Sequence, residues 1–208
     1  MAKYTKYQDY VIRDGKLVGE FEEMYQDFDD PWQQTTREKY AYEKVVAVEI
    51  IRLQGYKRVI EIGCGLGDFM ARIASVASVT LGIDISETAI IKARQRHPDL
   101  EFMVGDVLDY HIHRQFKPDA IVLAETTWYI LDKLDSFKSF LHRDMRGVGL
   151  IHLLMTYRGD EQKYGREFFT ELDSIMNYWD CVSFEEWGSF SSKEYNGGKR
   201  TFFHGIIN

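Results

Sequence analysis

Between residues 35 and 54 the apolar side chains of Tyr42, Val46, Ile50 and Leu53 recur at helical spacing, separated by charged positions such as Arg37, Glu38, Lys39 and Glu43. This spacing predicts an amphipathic helix, and Gly55 marks its end. The run Lys57-Arg58-Val59-Ile60-Glu61-Ile62 is short and rich in β-branched residues, so it predicts a strand; it leads straight into Gly63-Cys64-Gly65-Leu66-Gly67. The alternation then repeats. Helices are expected over 68–77, 86–96 and 134–143, and strands over 78–83, 100–104, 119–124 and 149–155. Ser86 is a good N-cap, with Glu87 well placed in the first turn, and His97-Pro98 stops the same helix.

Strands that alternate with helices imply right-handed crossovers and a mostly parallel sheet covered on both faces, which is the doubly wound α/β architecture. The C-terminal part departs from this rhythm. A helix near 162–176 is followed by an extended run over 178–187, a turn region rich in Gly, Ser and Asn, and a final strand near 200–207. The last two runs predict an antiparallel hairpin at one edge of the sheet, seven strands in all.

The chain has 208 residues, 45% of them hydrophobic, enough for one sizeable core, and its three prolines mark no linker. A single domain over 1–208 is expected. Its core spans 35–208, preceded by a segment over 1–34 whose stretch Phe21 to Trp32 is dense in acids and aromatics and suits a lid. With 33 acidic against 26 basic side chains the net charge is -7, which disfavours a nucleic-acid partner. Cys64 and Cys181 stand far apart without metal-ligand spacing, so no metal is expected. The N-terminus lacks the apolar core of a secretion signal, and no stretch reaches the ~20 apolar residues needed to span a bilayer; the expected location is the cytoplasm, with no membrane partner. A monomer or homodimer is expected.

In an open parallel sheet, ligands bind beyond the C-terminal ends of the strands near the point where strand order reverses. There the alternate glycines Gly63, Gly65 and Gly67 let the backbone turn sharply and approach a flat ligand. Asp84 lies about twenty residues beyond them at a strand end, where an acid accepts hydrogen bonds from both ribose hydroxyls. A third strand end offers Asp106, placed to accept from an exocyclic amine such as adenine N6. A dinucleotide needs a third glycine one residue later to hold pyrophosphate on a helix N-terminus, and Glu61 would set a carboxylate beside that pyrophosphate. Negative charge suits a ligand that carries an ammonium group.

These motifs, EIGCGLGDF, GIDIS and FMVGDVLD in that order, resemble those of the class I S-adenosylmethionine-dependent methyltransferases over residues 59–155. The resemblance implies a Rossmann-like fold and S-adenosyl-L-methionine as cofactor. It implies that Gly63, Gly65 and Gly67, with Glu61, shape the methionine pocket, that Asp84 and Ile85 form the ribose side, and that Asp106 with Val107 forms the adenine side. After the fourth strand, Glu125 is a candidate for the methionine amino group or for orienting an acceptor, and Trp128 and Tyr129 are candidates for the pocket wall or for plain packing; Glu125 and Tyr129 are the catalytic candidates. The N-terminal segment is similar to that of the nodulation N-methyltransferase group, which acts on an amino sugar, and the similarity points to Trp32 and Arg37 as cofactor contacts. His152 falls inside an apolar strand and reads as a core residue, and no histidine stands in a telling motif. The expected function is therefore methyl transfer to an N or O atom of a small polar molecule, with a sugar or amino-sugar metabolite as a candidate acceptor. An NAD(P)-dependent oxidoreductase and a non-catalytic S-adenosylmethionine-binding protein are the alternatives.

Overall fold

A computed structural model describes the protein over residues 2–37, 41–156, 164–195 and 198–208. The chain begins with α1 (Gln8–Val11), a small antiparallel pair β1 (Ile12–Arg13) and β2 (Lys16–Leu17), α2 (Phe21–Asp27) and α3 (Gln34–Arg37). The alternating region follows: α4 (Tyr42–Gln54), β3 (Arg58–Ile62), α5 (Asp68–Ile73), β4 (Val79–Asp84), α6 (Glu87–Arg96), β5 (Glu101–Val104), α7 (Tyr110–Phe116), β6 (Ala120–Ala124), α8 (Leu134–Asp144) and β7 (Gly149–Thr156). The chain ends with α9 (Leu172–Tyr178), β8 (Val182–Phe190) and β9 (Lys199–Ile207).

Strands β3 to β9 form one sheet in the order β5-β4-β3-β6-β7-β9-β8, parallel from β5 to β7 and antiparallel at β9 and β8. The seven-stranded doubly wound sheet with its antiparallel hairpin is as the sequence predicts. The strand reached last, β9, is not the edge but fits between β7 and β8. Alternation within the strands feeds two cores. Ile60, Ile62, Ile121, Leu123, Leu150 and Leu154 face a layer with α7, α8 and α9, while Val59, Val122, Ile151 and Leu153 face α4, α5 and α6.

Three local expectations change. The stretch between β5 and β6 carries α7, which shows only Ile112 and Phe116 as an apolar i, i+4 pair, too brief a signal for a helix from sequence. The helix expected over 162–176 starts at Leu172: 157–163 lie outside the described residues, and Gly165 at φ +70 turns the chain against Trp128. The helix expected over 35–54 is α3 plus α4, with 38–40 outside the described residues, and α4 ends as expected at Gly55, whose φ of 72 is left-handed.

The N-terminal segment is a layer with its own core. Tyr10, Val11, Met24 and Tyr25 are buried against Leu66 of the glycine loop and Ala89 of α6. Its anchor is Glu22 at the N-terminus of α6: Ser86 Oγ donates to Glu22 Oε2 at 2.7 Å and Thr88 N at 3.1 Å, while the Thr88 hydroxyl donates to the other oxygen. Ser86 itself caps α6, accepting from Ala89 N at 3.1 Å. Further along α6, Lys92 Nζ donates to the carbonyls of Tyr25 at 2.6 Å and Phe28 at 2.9 Å.

Burial works against the charge of Glu22, but the hydrogen bonds from Ser86 and Thr88 outweigh it and bring its pKa from 4.5 down to about 2. A carboxyl with a depressed folded pKa stabilises fully above its unfolded value, so this anchor is complete above about pH 4.5 and is lost as pH falls toward about 2. Glu22→Ala is expected to cost ~1–2 kcal/mol and to speed proteolytic cleavage before residue 35 at neutral pH; cleavage at the wild-type rate would show that the anchor is idle. In β9, a Cβ on Gly205 would lie 2.5 Å from the Ser183 carbonyl oxygen, which the neighbouring strand cannot move. Gly205→Ala should lower the melting temperature by several degrees, ~1–3 kcal/mol, in a thermal melt.

Candidate active site

The C-terminal ends of β3, β4, β5 and β6 open into a cavity of about 440 Å³ that lies under the N-terminal layer. Its floor is the turn after β3. Gly63 has φ +74, and a Cβ there would strike the side chain of Thr126, whose hydroxyl donates to Ile62 O at 2.9 Å. Gly65 has φ +56, and its Cβ would sit 2.7 Å from Tyr25 Oη and 2.8 Å from Gln34 Oε1. The turn is thus glycine because neighbouring side chains press on it as well as because the backbone is left-handed.

Asp84, at the end of β4, holds that turn. Its Oδ2 accepts Gly65 N at 2.9 Å and its Oδ1 accepts Ser86 N at 3.0 Å. Burial raises its pKa, and the backbone donors oppose the rise. The carboxylate lines the cavity, where an acid can accept from a ribose diol. Ile85 is half-exposed beside it. Asp106 and buried Val107 line the far side, where Asp106 accepts Leu108 N at 3.0 Å through one oxygen and is paired with Lys133 Nζ through the other. Glu61, 2% exposed, and Glu125 lie on the cavity wall near Gly63. Glu125 has φ +61, and its Oε2 accepts Met155 N at 3.0 Å.

The opposite wall is aromatic. Tyr129 packs on Phe21 at 5.5 Å and on Trp32 at 5.4 Å between ring centroids, and Trp32 packs on Tyr7 at 5.1 Å. The two aromatics in sequence after β6 therefore separate: Tyr129 lines the cavity, whereas Trp128 turns into the core, its Nε1 donating to Met155 O at 2.9 Å.

The structure brings together Trp32, Glu61, Gly63, Gly65, Asp84, Ile85, Asp106, Val107, Glu125 and Tyr129. It does not bring Gly67 there: a Cβ on Gly67 would meet Phe102 and His97, so this glycine serves the packing of α5 and β5. Arg37 ends α3, and its side chain lies outside the described residues. His152 is a core residue, buried between Thr127 Oγ1 at 2.7 Å and the stacked ring of Phe203, and burial lowers its pKa to about 3, so it stays neutral. Sequence reasoning missed Tyr25, Gln34, Lys44, Lys133 and Arg200, all cavity residues. Gln34 Oε1 accepts Leu66 N at 3.1 Å across 32 positions, a contact with no local signal. Tyr129 and Lys133 do stand in Tyr-x-x-x-Lys spacing, which hydride-transfer enzymes share, but here Lys133 is bound to Asp106. Among the described residues, the group with metal-ligand geometry is Glu185, Glu186 and His204, on the hairpin and outside the cavity.

The cavity lining carries five carboxylates, Glu61, Asp84, Asp106, Glu125 and Asp132, against the three cations Lys44, Lys133 and Arg200, a balance that suits a ligand with a cationic tail better than a pyrophosphate. With the parallel sheet and its reversal between β3 and β6, this lining is of the kind a class I S-adenosylmethionine-dependent methyltransferase presents to its cofactor, S-adenosyl-L-methionine. Comparison with known proteins agrees. A family profile described as a methyltransferase domain matches residues 59–144. Nodulation protein S of Sinorhizobium fredii is 30% identical over 138 residues, 63% of this chain and 57% of that protein. A probable S-adenosylmethionine-dependent methyltransferase of Mycobacterium tuberculosis is 31% identical over 96 residues, 45% of this chain and 33% of that one. The chain thus spans little more than half, or less, of these curated relatives' lengths. In fold, it matches the N-methyltransferase NodS from Bradyrhizobium japonicum in complex with S-adenosylhomocysteine at a TM-score of 0.65, with 18% identity, over 86% of this chain and 93% of that one. The profile, the relatives and the fold together support a class I S-adenosylmethionine-dependent methyltransferase.

Because Asp84 both holds Gly65 and lines the cavity, Asp84→Ala is expected to weaken S-adenosylhomocysteine binding by ~1.5–3 kcal/mol and to lower the melting temperature as well. Calorimetric titration beside a thermal melt checks this, and unchanged affinity would remove Asp84 from the cofactor site.

Proposed function

We propose that the protein transfers the methyl group of S-adenosylmethionine to an N or O atom of a small polar molecule, with amino sugars and related metabolites the first class to try. The observation that carries this reading is the shape of the site: a cavity of about 440 Å³, walled on one side by the cofactor-type loops and on the other by Phe21, Trp32 and Tyr129. A space of that size, within the ordinary range for small-ligand pockets, suits a metabolite rather than a macromolecular surface. The likeness to nodulation protein S, and in fold to the N-methyltransferase NodS, makes an amine the first accepting group to try.

Bound in the cavity, the cofactor supplies an activated sulfonium methyl for in-line displacement. The chain's tasks are then to place the acceptor about 3 Å from that carbon and to keep water out. Asp84 orients the nucleoside, and Glu61 and Glu125 offer negative charge to its cationic end. The aromatic wall excludes water, with the N-terminal layer acting as the lid. An amine acceptor needs only to lose its own proton, for which Glu125 and Tyr129 are the groups at hand; His152 is sequestered in the core.

A thermal-shift comparison with S-adenosylhomocysteine, S-adenosylmethionine and NAD(P)H tests the reading. A ligand at ~100 times its dissociation constant adds ~2.7 kcal/mol of stability, so the two sulfur ligands should raise the melting temperature and the dinucleotides should not. A rise with dinucleotide alone would make the protein an oxidoreductase. Cofactor binding without turnover across an amine and hydroxyl acceptor panel would favour a binding protein.

A further inference from the structure

Two polar side chains of the N-terminal layer converge on the middle glycine of the turn after β3. A Cβ on Gly65 would lie 2.7 Å from Tyr25 Oη, 2.8 Å from Gln34 Oε1 and 3.2 Å from Gln34 Nε2. Both groups therefore occupy the space that a side chain at this position would fill. Gln34 is held at the start of α3 by Asp30, whose Oδ1 accepts Gln34 N at 2.9 Å and whose Oδ2 accepts Thr35 N at 3.2 Å and Thr35 Oγ1 at 2.6 Å. From there the side chain reaches the turn, and its Oε1 accepts Leu66 N at 3.1 Å.

That bond decides which way the amide faces. Leu66 N is a donor and must meet the amide oxygen, which leaves the nitrogen and its two N–H groups beside Gly65 in the cavity wall. Tyr25 lines the same wall and is 2% exposed. Burial pushes its phenol well above the ordinary value, so the group stays a neutral hydroxyl with a proton to donate.

The amino-acid end of S-adenosylmethionine carries an ammonium and a carboxylate on one carbon. Glu61 and Glu125 suit the ammonium and repel the carboxylate, which needs donors close by. The cations of the lining are committed elsewhere: Lys133 is paired with Asp106 and Arg200 with Glu43, while Lys44 has contacts of its own, among them the ring of Phe69 at 4.9 Å. Over Gly65 the missing Cβ gives room, and Gln34 Nε2 and Tyr25 Oη give donors.

We propose that Gln34, with Tyr25 as second donor, is the specificity-determining residue that binds the carboxylate of the cofactor's amino-acid end and so closes the N-terminal layer on ligands that carry it. This rests on the reading that the cavity binds S-adenosylmethionine. Gln34 grips the glycine turn through its oxygen and the ligand through its nitrogen, so the layer cannot lift from the turn without releasing the ligand. A ligand shifts a closing equilibrium only by contacts it makes in the closed state alone, and here that contact is the carboxylate.

The test sets S-adenosylhomocysteine against S-adenosyl-3-thiopropylamine, which keeps the nucleoside, the thioether and the ammonium and lacks only the carboxylate. Calorimetric titration of the full chain compares wild type with Gln34→Glu, a change that keeps an oxygen for Leu66 N and turns the donor into a negative charge. In wild type, the amine should bind about tenfold more weakly than S-adenosylhomocysteine. Gln34→Glu should weaken S-adenosylhomocysteine by at least about tenfold and change the amine by less than about threefold. Limited proteolysis gives a second readout: in wild type, saturating S-adenosylhomocysteine should slow cleavage before residue 35, and the saturating amine should slow it less.

Wild-type affinity for S-adenosylhomocysteine in Gln34→Glu would overturn the proposal and pass the carboxylate to Lys44. Equal loss for both ligands would also overturn it and leave Gln34 a support of the glycine turn. Should Gln34→Glu fail to fold, proteolysis of wild type decides, and equal protection by the two ligands overturns the proposal. Wild type that binds neither ligand would overturn the cofactor reading and the proposal with it, whereas binding both alike would strike the assignment of Gln34 alone.

Discussion

The pair of hydrogen bonds from Gly65 N and Ser86 N to the Asp84 carboxylate is the interaction on which the site depends. It ties the turn after β3 to the end of β4 and to the cap of α6, three places where the backbone leaves regular structure. A carboxylate so deeply buried is tolerable because backbone donors meet both oxygens, and they fix its orientation at the cavity wall. Where β3 meets β6 the connections run to opposite sides of the sheet, so the loops diverge and leave room for a ligand. Asp84 turns that gap into a site of defined shape.

The N-terminal layer closes what the sheet leaves open. Its contacts are of two kinds with separate consequences. Tyr10, Met24 and Tyr25 bury apolar surface against Leu66 and Ala89 and make the layer part of the fold. Phe21 and Trp32 pack on Tyr129 in one wall of the cavity and make the layer part of the site. Glu22 holds both in register by occupying the positive end of α6, where a carboxylate is favoured by the helix dipole and by free N–H groups.

Charge is distributed unevenly. The acids that bear on the cofactor lie at the ends of β3, β4, β5 and β6, whereas Arg200 comes from the hairpin at the far end of the chain. Because β9 enters between β7 and β8, Arg200 pairs with Met155 of β7 and its guanidinium reaches Glu43 and Glu125. The antiparallel ending, which looks like a structural appendage in the sequence, is a supplier of side chains to the cavity. No described helix is long and apolar enough to cross a membrane.

The features legible in the sequence are those encoded locally. Strand and helix periods, the Ser86 cap, the Gly55 stop and the glycine and acid motifs at strand ends each depend on residues a few positions apart, and the structure places them as read. Gly67 shows the limit of a motif: it matches the pattern, yet its missing Cβ makes room for Phe102 rather than for a ligand. Short α7 escaped notice because two apolar residues make no period, and Trp128 and Tyr129 could not be told apart because adjacent residues take opposite sides only once the turn is built. Gln34, Tyr25 and Arg200 reach the site across tens to hundreds of positions, through packing of elements whose own sequences carry no trace of the partner. The sequence by itself determined the class of fold and the acids at the ends of its parallel strands, because such patterns are written within single elements. Only the tertiary structure decided which side chains complete the cavity, since that follows from the strand order and from a layer folded back over it.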